Sequence, residues 1–250
     1  MSSTNSLNGK VALVTGAARR IGAAIATRLH ENGANLAIHY RNSAQDATAL
    51  AASLNAKRAD SASAFQADLD DTPHLHKLID EILRWHGRLD ILVNNASSFY
   101  PTRPGEITEQ QWDDLIGSNL KAPLFLSQAA LPELRKNRGA IINMVDIHAQ
   151  RPLKNHTIYG PAKAGLAMLT RSLARDLAPE VRVNGVSPGA ILWPENGMPD
   201  ATKDAILDQI PLRRAGSPDD IAGCVLYLVS DADYVTGQII AVDGGRSIGW

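Results

Sequence analysis

Three side chains in the middle of the sequence have the types and the spacing of an acid–base site. Tyr159 and Lys163 stand four residues apart at the start of a predicted helix, so they project from one face, a turn apart. A phenol has a reference pKa of about 10, and a nearby ammonium group favours its phenolate. A strand predicted at 140–145 delivers Asp146 to the carboxyl edge of a parallel sheet, where open α/β sheets place their ligands. We therefore predict proton transfer by these side chains.

A glycine-containing turn near the N-terminus could hold a phosphate. Gly16 and Gly22 frame the segment between the first predicted strand and the first predicted helix. Small residues let the backbone approach a pyrophosphate, which then lies against the free N–H groups at the helix N-terminus. The pattern lacks the usual G-x-G-x-x-G spacing, and glycine turns also join strands to helices for steric reasons alone. Its place at the first strand–helix junction favours a dinucleotide site.

The end of the second predicted strand distinguishes the two nicotinamide dinucleotides. Residues 40–43 (Tyr-Arg-Asn-Ser) include no acid that could hold a ribose 2′-hydroxyl, whereas Arg41 and Ser43 offer a cation and a hydroxyl to a 2′-phosphate. This favours NADP over NAD, against the alternative that Arg41 is a solvated turn residue. Asp68 and Leu69, after the third predicted strand, are candidates for an adenine contact, although Asp68 could equally cap a helix.

The elements that must position these residues alternate along the chain. Short apolar runs predict strands at 11–15, 34–39, 63–66, 91–94, 140–145, 181–187 and 238–242. Apolar residues at helical spacing predict helices at 21–29, 44–54, 74–86, 108–136 (one helix or two), 159–177 and 218–230. Several strands are apolar without alternation, which is typical of a parallel sheet covered on both faces. The predicted fold class is α/β, a single Rossmann-like doubly wound sheet of about seven strands.

Composition argues against several classes of protein, namely those that bind nucleic acid or membranes, those with disulfides and those with metal sites. Lys and Arg number 25 and Asp and Glu 26, which gives no global field for nucleic acid or an anionic membrane. Cys224 is the single cysteine, so no intrachain disulfide is possible, and its apolar surroundings predict a reduced thiol in a core helix. No cluster has metal-ligand spacing, so no metal is predicted. With neither a leader peptide nor an apolar run of spanning length in the sequence, we expect a cytoplasmic protein.

The chain is expected to form one NADP-binding reductase domain over 9–250, after a flexible polar stretch at 1–8. Residues 190–214 interrupt the alternation and include Pro194 and Pro199. The stretch is predicted as a loop followed by short helices, and it is either a lid over a site or a long surface connection. Long loops in compact domains are usually functional or disordered, which favours a cover over the substrate. Residues 246–250 either reach a neighbouring subunit's site or fray.

Five motifs together resemble the short-chain dehydrogenase/reductase family over about residues 9–247. They are the glycine turn, Asn94-Asn95-Ala96, Asn119, Tyr159-x-x-x-Lys163 and Ser187-Pro188-Gly189. The resemblance implies that Tyr159 donates a proton, that Lys163 binds the nicotinamide ribose and lowers the pKa of the tyrosine, and that Asn119 supports a proton relay. It also implies a homotetramer and an NADPH site formed by Gly16, Arg20, Ile21, Tyr40, Arg41, Asn42, Ser43, Asp68, Leu69, Asn95, Ala96, Ser97, Tyr159, Lys163, Pro188 and Gly189.

Three departures from the general family pattern resemble pteridine reductases. Arg20 replaces the middle glycine of the turn, Ser97 follows Asn-Asn-Ala where glycine is usual, and Asp146 replaces the usual serine. The resemblance implies that Asp146 and Tyr159 protonate N8 as hydride reaches C7 of an oxidised pterin, and that reduction at C6 and N5 follows. It also implies that Phe99 stacks on the pterin, that Arg20 reaches the pterin's acceptors, and that Ser97 binds both cofactor phosphate and pterin amino group.

The sequence therefore predicts an NADPH-dependent pteridine reductase that forms dihydro- and tetrahydropterins such as tetrahydrobiopterin, with dihydrofolate as a further candidate substrate from folate metabolism. A carbonyl reductase such as a 3-oxoacyl reductase is the nearest alternative, although a neutral serine suits a carbonyl oxygen better than Asp146 does. An NADPH-binding sensor without turnover is the alternative from another class. Phe99 could instead belong to the core, and His148 and His156 are interpreted as structural or loop residues.

Overall fold

The computed structural model describes residues 6–193 and 197–248, and its centre is a parallel sheet. Its strands are β1 (Val11–Val14), β2 (Asn35–Tyr40), β3 (Ala62–Gln66), β4 (Ile91–Asn94), β5 (Ala140–Met144), β6 (Arg182–Pro188) and β7 (Ile239–Val242). They form one seven-stranded sheet in the order β3-β2-β1-β4-β5-β6-β7. The chain first builds the sheet outward from β1 on one side and then returns to add β4 on the other. Such a switch opens a crevice beyond the carboxyl ends of β1 and β4.

Helices cover both faces of the sheet. Those in the described ranges are α1 (Arg20–Glu31), α2 (Ala44–Lys57), α3 (Leu75–His86), α4 (Glu109–Ile116), α5 (Ala122–Lys136), α6 (Tyr159–Leu177), α7 (Asp200–Asp208) and α8 (Pro218–Ser230). The predicted α/β class and single Rossmann-like domain are confirmed by this sheet and these helices.

Alternate side chains of each strand enter opposite layers of the core. On β1, Ala12 and Val14 pack in the layer that contains α1 and α8, whereas Val11 and Leu13 pack in the layer that contains α3 and α5. All four are fully buried. Since burying a large aliphatic side chain stabilises a fold by roughly 1.5–3 kcal/mol, this two-sided core fixes the strand ends on which the site is built.

The segment predicted as one or two helices at 108–136 is two helices with an irregular turn between them. Thr108 caps α4 in a capping box with Gln111, which satisfies two of the free N–H groups at the helix start. A π-helical turn at Gly117–Lys121 then separates α4 from α5 and contains Asn119. Single π turns of this kind occur often at functional sites because they redirect a side chain from the regular helical path.

The N-terminal segment differs in part from its prediction. Leu7 is fully buried, and its N–H donates to the carbonyl oxygen of Asn32 at 3.0 Å. A flexible stretch is therefore the wrong description for residues 6–8, because Leu7 fills the layer beneath α1. Residues 1–5 lie outside the described part of the chain.

The predicted covering loop at 190–214 includes a short helix, as the sequence indicated. It contains α7, and Ile210 after that helix is buried. Pro194 lies outside the described residues, so the covering function stays a prediction.

No described helix is long and apolar enough to cross a membrane. Within the same residues, no cluster of three or more His, Cys, Asp or Glu side chains could hold a metal ion.

Candidate active site

Hydrogen bonds of the Thr15 and Asn95 side chains hold the glycine turn against the end of β4. The hydroxyl of Thr15 accepts the N–H groups of Asn95 and Ala96, each at 2.9 Å, and the Asn95 amide donates to the Thr15 carbonyl at 2.8 Å. Gly22 has no space for a side chain, since a Cβ there would lie 2.4 Å from the Gly16 carbonyl oxygen. Gly16 has φ of +59°, a conformation that favours glycine. The sequence thus keeps the backbone of the turn compact and exposed to a ligand.

Arg20 opens α1 in a conformation that side chains rarely adopt. Its φ is +54°, in the left-handed region that costs roughly 1 kcal/mol for a residue other than glycine. This explains why glycine is expected at this position of the turn. The arginine side chain is exposed and lines the cavity above the turn together with Arg19.

A cavity of about 510 Å³ lies beside the turn, and we call it the turn cavity. Its wall includes many of the predicted cofactor residues, namely Gly16, Arg20, Ile21, Arg41, Asp68, Leu69, Asn95, Ala96 and Ser97. The remaining predictions lie outside this lining. Tyr40 packs against the core, Ser43 accepts a hydrogen bond from Arg19, and Asn42 is exposed between them. Pro188 and Gly189 lie at the carboxyl end of β6, where the Gly189 N–H donates to Val242 at 3.1 Å.

Two arginines at the rim of the turn cavity are paired with carboxylates. The Arg19 guanidinium contacts Asp46 at 2.8 Å and donates to the Ser43 hydroxyl at 2.8 Å. Arg41 lies 3.6 Å from Asp70 and 4.0 Å from Asp68. These pairs are exposed, so each contributes little to stability and an incoming anion can compete for the arginines. Asp68 also accepts the N–H of Asp70 at 3.1 Å within a turn, whereas the N-cap of the 3₁₀ helix that follows at Thr72–His74 is Asp71.

His39 supports the turn from below and was missed in the sequence. Its Nδ1 accepts the Gly16 N–H at 3.1 Å, and its Nε2 lies 3.1 Å from the Ala67 carbonyl oxygen, to which it must donate. Burial lowers the pKa of His39 to about 4. The ring is therefore neutral at neutral pH, with both nitrogens used. A histidine within an apolar strand gave no signal of this function, because only the folded turn brings Gly16 to it.

Asp146 and Tyr159 form a hydrogen-bonded pair, which we call the dyad. The Tyr159 hydroxyl donates to Asp146 Oδ2 at 2.8 Å, and Asp146 Oδ1 accepts the His148 N–H at 2.8 Å. Asp146 caps the short 3₁₀ turn Ile147–Ala149 after β5, while Tyr159 begins α6 and is only 4% exposed. The structure thus brings together two side chains that the sequence placed at a strand end and a helix start.

The pKa of Tyr159 is shifted upward in the folded chain, and a lowering by Lys163 stays a prediction. Burial is the main cause, and the Asp146 charge and hydrogen bond add to it, because all three disfavour the phenolate. The Ser97 hydroxyl opposes this by hydrogen bonding. Lys163 Nζ lies 5.7 Å from the centre of the tyrosine ring and donates to the Met144 carbonyl oxygen at 2.8 Å. Burial lowers the pKa of Lys163 to about 8, against the opposing influence of Asp146.

Ser97 connects the dyad to Asn119 and to the turn cavity. Its hydroxyl donates to Asn119 Oδ1 at 2.9 Å, and it also lines the turn cavity. The Asn119 amide is fully buried and donates to the carbonyl oxygens of Ser98 at 2.9 Å and Leu115 at 3.0 Å. Glycine at position 97 would leave this gap between the two regions without a hydroxyl.

Phe99 lies on the surface beside the dyad rather than in the core. It is 55% exposed, and its ring meets the Tyr159 ring edge to face, with centroids 4.8 Å apart. His156 stacks on Phe99 with centroids 4.7 Å apart and an interplanar angle of 17°. Nδ1 of His156 contacts the Lys154 carbonyl oxygen, and its buried Nε2 has no hydrogen-bond partner among the described residues. His156 thus packs on Phe99 from a loop near the candidate site, and its interpretation as a structural or loop residue is compatible with this position.

A chain of buried amides and hydroxyls underlies the dyad. The Asn94 amide donates to Asn143 at 2.8 Å and to Ser127 at 3.3 Å, and the Asn143 amide donates to Thr170 at 3.0 Å. These residues lie on β4, β5, α5 and α6. Because buried polar groups are costly when unpaired, the chain holds α6 in one register on the sheet and so positions Tyr159.

Comparisons with known proteins find similar sequences over most of the chain. A family model described as enoyl-(acyl carrier protein) reductase matches residues 16–247. A protein named pteridine reductase 1 from Leishmania tarentolae is 39% identical, over 98% of this chain and 99% of that protein. A 3-oxoacyl-(acyl-carrier-protein) reductase, FabG, from Staphylococcus aureus is 42% identical, over 94% of this chain and 97% of that protein. An uncharacterized oxidoreductase from Methylorubrum extorquens is 36% identical, over 96% and 98% of the two chains.

Proposed function

Because the chain belongs to the short-chain dehydrogenase/reductase family, and is thus an oxidoreductase that uses a nicotinamide cofactor, we propose that it is an NADPH-dependent pteridine reductase. The single observation that carries the proposal is the hydrogen bond between Tyr159 and Asp146, with Phe99 exposed beside it. A phenol and a carboxylate that share a hydrogen suit a ring nitrogen that must gain a proton. An exposed aromatic ring next to them suits a flat heterocycle.

The residues present fit a dinucleotide. A Cβ at Gly22 would lie 2.4 Å from the Gly16 carbonyl oxygen, so glycine is what lets the turn keep its compact backbone beside the cavity, and the neutral His39 accepts the Gly16 N–H. Under the proposal, the turn holds the pyrophosphate at the start of α1. Arg41, Ser43 and Arg19 hold a 2′-phosphate, which NADPH carries and NADH lacks.

Asn95, Ala96 and Ser97 would continue the cofactor site from the turn toward the dyad, with Lys163 at the nicotinamide ribose. Asp68 and Leu69 would contact the adenine. Pro188 and Gly189, at the carboxyl end of β6, would border the nicotinamide. When bound, NADPH supplies the hydride.

The chain's own residues supply orientation and the proton. Phe99 stacks on one face of the pterin, and Arg20 and Ser97 bind its polar edge. Burial and Asp146 keep the Tyr159 phenol protonated at neutral pH, so that it is available as an acid. The proton moves from Tyr159 Oη to N8 of an oxidised pterin, or to N5 of the dihydro form. Ser97 and the nearby Lys163 then stabilise the phenolate, with Asn119 behind Ser97 as the start of a relay.

A 3-oxoacyl reductase is the second candidate, and the 42% identity to the Staphylococcus aureus relative favours it. Tyr159, Lys163 and Asn119 would serve either reaction. Asp146 decides between them on physical grounds. Reduction of a ketone builds negative charge on the carbonyl oxygen, and a carboxylate beside that oxygen would repel it. A ring nitrogen that gains a proton is instead favoured by the same carboxylate.

One assay separates the candidates. NADPH absorbance is followed with dihydrobiopterin, dihydrofolate and acetoacetyl-CoA at equal concentrations. We expect oxidation with at least one pteridine and little with the thioester. Oxidation with the thioester alone would replace the pteridine proposal with the 3-oxoacyl one. Binding of NADPH with no oxidation in any mixture would favour a sensor.

We also propose a homotetramer assembled through α8 and β7. Tyr227 on α8 is exposed, and Ile239 and Ile240 on β7 are only half-buried, although β7 is the edge strand of the sheet. An apolar edge strand needs a cover in solution. Sedimentation velocity would measure the mass, and a monomer would contradict the assembly.

A further inference from the structure

A second cavity, of about 360 Å³, lies next to Asp146 on the side where the chain continues into the 3₁₀ turn. Ile147 and His148, the two residues after Asp146, form part of its wall, and Pro152 and Leu153 add apolar surface. Arg151, Gln209 and Arg246 complete the lining. Gln209 directly follows α7, so the cavity opens between the dyad and the predicted covering loop. We call it the Arg246 cavity.

Arg246 is a half-buried cation with unused hydrogen-bond donors. Its guanidinium has neither a hydrogen bond nor an ion pair with any described residue. The neighbouring Asp243 does not pair with the Arg246 guanidinium in the described structure, and its two oxygens accept the N–H groups of Gly245 at 2.9 Å and Ser247 at 2.7 Å. Burial lowers the pKa of Arg246, while Asp146 and Asp243 oppose that shift at longer range. A desolvated guanidinium with free donors is suited to an anion, above all to a carboxylate or phosphate that it can bind with two hydrogen bonds.

We infer that the Arg246 cavity binds the anionic end of the substrate. Under the proposed function, on which this inference rests, that ligand is the carboxylate tail of a folate-type pteridine. The pteridine ring would lie at Phe99 and the dyad, and the linking group would lie along Pro152 and Leu153. The carboxylate would reach Arg246. The cavity would thus make the enzyme prefer conjugated pteridines over those with a short neutral side chain.

The test compares two substrates with the same ring and different tails. Arg246→Met removes the cation and keeps much of the apolar stem, and Arg84→Met on the exposed face of α3 is the matched control. We expect Arg246→Met to lower the ratio of kcat/KM for dihydrofolate to that for dihydrobiopterin by about tenfold, because a charged hydrogen bond is lost. Arg246→Lys should recover part of the ratio, and Arg84→Met should not change it.

A binding measurement tests the anion site without requiring catalytic turnover. The probe is para-aminobenzoylglutamate, which carries the acidic tail without the pteridine ring, and calorimetry records its binding to the full chain with NADPH. Wild type should bind the probe about tenfold more tightly than Arg246→Met. Thermal melting of each variant checks that the fold is intact, which we expect because the Arg246 side chain makes no hydrogen bond with a described residue, and its backbone N–H bond to the Asp243 carbonyl oxygen does not depend on the side chain.

The outcomes separate this inference from the proposed function. If both pteridines are reduced and Arg246→Met leaves their ratio and the probe affinity unchanged, the anion site is wrong and the pteridine reductase survives. If neither pteridine is reduced, the proposed function fails. In that case, an Arg246→Met effect on acetoacetyl-CoA but not on its neutral N-acetylcysteamine analogue would assign the cavity to a phosphate and overturn the carboxylate assignment.

Discussion

The turn cavity and the dyad lie at the same edge of the sheet but are built by opposite means. Around the turn cavity, the charged groups are exposed and paired with one another, as in the contacts of Arg19 with Asp46 and Arg41 with Asp70. At the dyad, Tyr159 and Lys163 are 4% and 3% exposed, and burial is the main cause of both pKa shifts. The first region offers charge to a ligand in water, whereas the second changes the acidity of its own groups by excluding water.

This contrast implies that the two regions respond differently to perturbation. Substitutions at the dyad should change turnover and leave cofactor affinity intact. Substitutions at the turn cavity should change cofactor affinity. The effect should depend on salt where a charged side chain is removed, and on steric fit where a glycine of the turn is replaced. Ser97 is the exception, since it lines the turn cavity and also contacts the dyad and Asn119.

Asp146→Ser tests the dyad most directly. The change removes the carboxylate that accepts the Tyr159 hydrogen, and serine is too short to restore the 2.8 Å contact. We expect kcat for dihydrobiopterin to fall by about a hundredfold or more, as for loss of an acid–base group. NADPH affinity, measured by fluorescence, should stay within about twofold because Asp146 lies outside the turn cavity. Asp80→Ser on the surface of α3 is the control, and wild-type turnover in Asp146→Ser would remove Asp146 from the proton path.

The buried His39 beneath the turn predicts that the free energy of unfolding depends on pH. Its pKa is about 4 in the folded chain and 6.5 as a reference, so the unfolded chain takes up a proton first as the pH falls. The stability that neutral His39 contributes is fully present above pH 6.5 and is lost as the pH falls toward 4. Between about pH 7.5 and pH 5, we expect a loss of about 2 kcal/mol from this residue.

Urea unfolding of wild type and His39→Gln at both pH values measures that loss. The pKa of His30 is also lowered, mainly by burial, so the difference between the two proteins is the relevant quantity. Equal pH dependence in the two proteins would mean that His39 does not stay neutral beneath the turn.

Gly22→Ala tests the backbone fit of the turn. The added methyl group would lie 2.4 Å from the Gly16 carbonyl oxygen and 2.6 Å from the Asn95 amide, so the turn must shift. We expect NADPH affinity to fall by about thirtyfold, or about 2 kcal/mol, through overpacking. Gly223→Ala on α8 is the matched control, because its methyl group would meet nothing within 4 Å. Unchanged affinity in Gly22→Ala would contradict a close approach of cofactor to this turn.

Arg41→Ala gives the smallest expected effect. The Arg41 guanidinium is exposed and pairs with Asp68 and Asp70. These two carboxylates partly neutralise its charge, so its attraction to a bound phosphate is reduced. We expect NADPH affinity to fall by about fivefold to tenfold, NADH affinity to stay unchanged, and the difference to shrink at high salt. Arg84→Ala is the control. Equal losses for NADPH and NADH would argue against a contact between Arg41 and the 2′-phosphate.

Periodicity predicted the elements of the fold well, and motifs predicted part of the site. The helix at 218–230 agrees with α8 to the residue, and Asp146 and Tyr159 meet as their spacing indicated. The direction of the Tyr159 pKa shift could not be foreseen from Lys163 alone, because it depends on how deeply the ring is buried. His39 and Arg19 were missed because their partners are distant in sequence, and the stacking of His156 on Phe99 was not foreseen because it depends on loop geometry.

The order of strands also has a consequence for synthesis of the chain. β1, β2 and β3 leave the ribosome before β4, yet β1 pairs with β4 through Ala12, Leu13 and Val14 on its other side. Until β4 has emerged, this edge of β1 presents unpaired peptide groups in an apolar strand. The nascent polypeptide therefore passes through a stage in which it can pair with another copy and aggregate. The place where β1 and β4 meet, which opens the crevice of the finished fold, is thus an unpaired sheet edge until β4 has emerged.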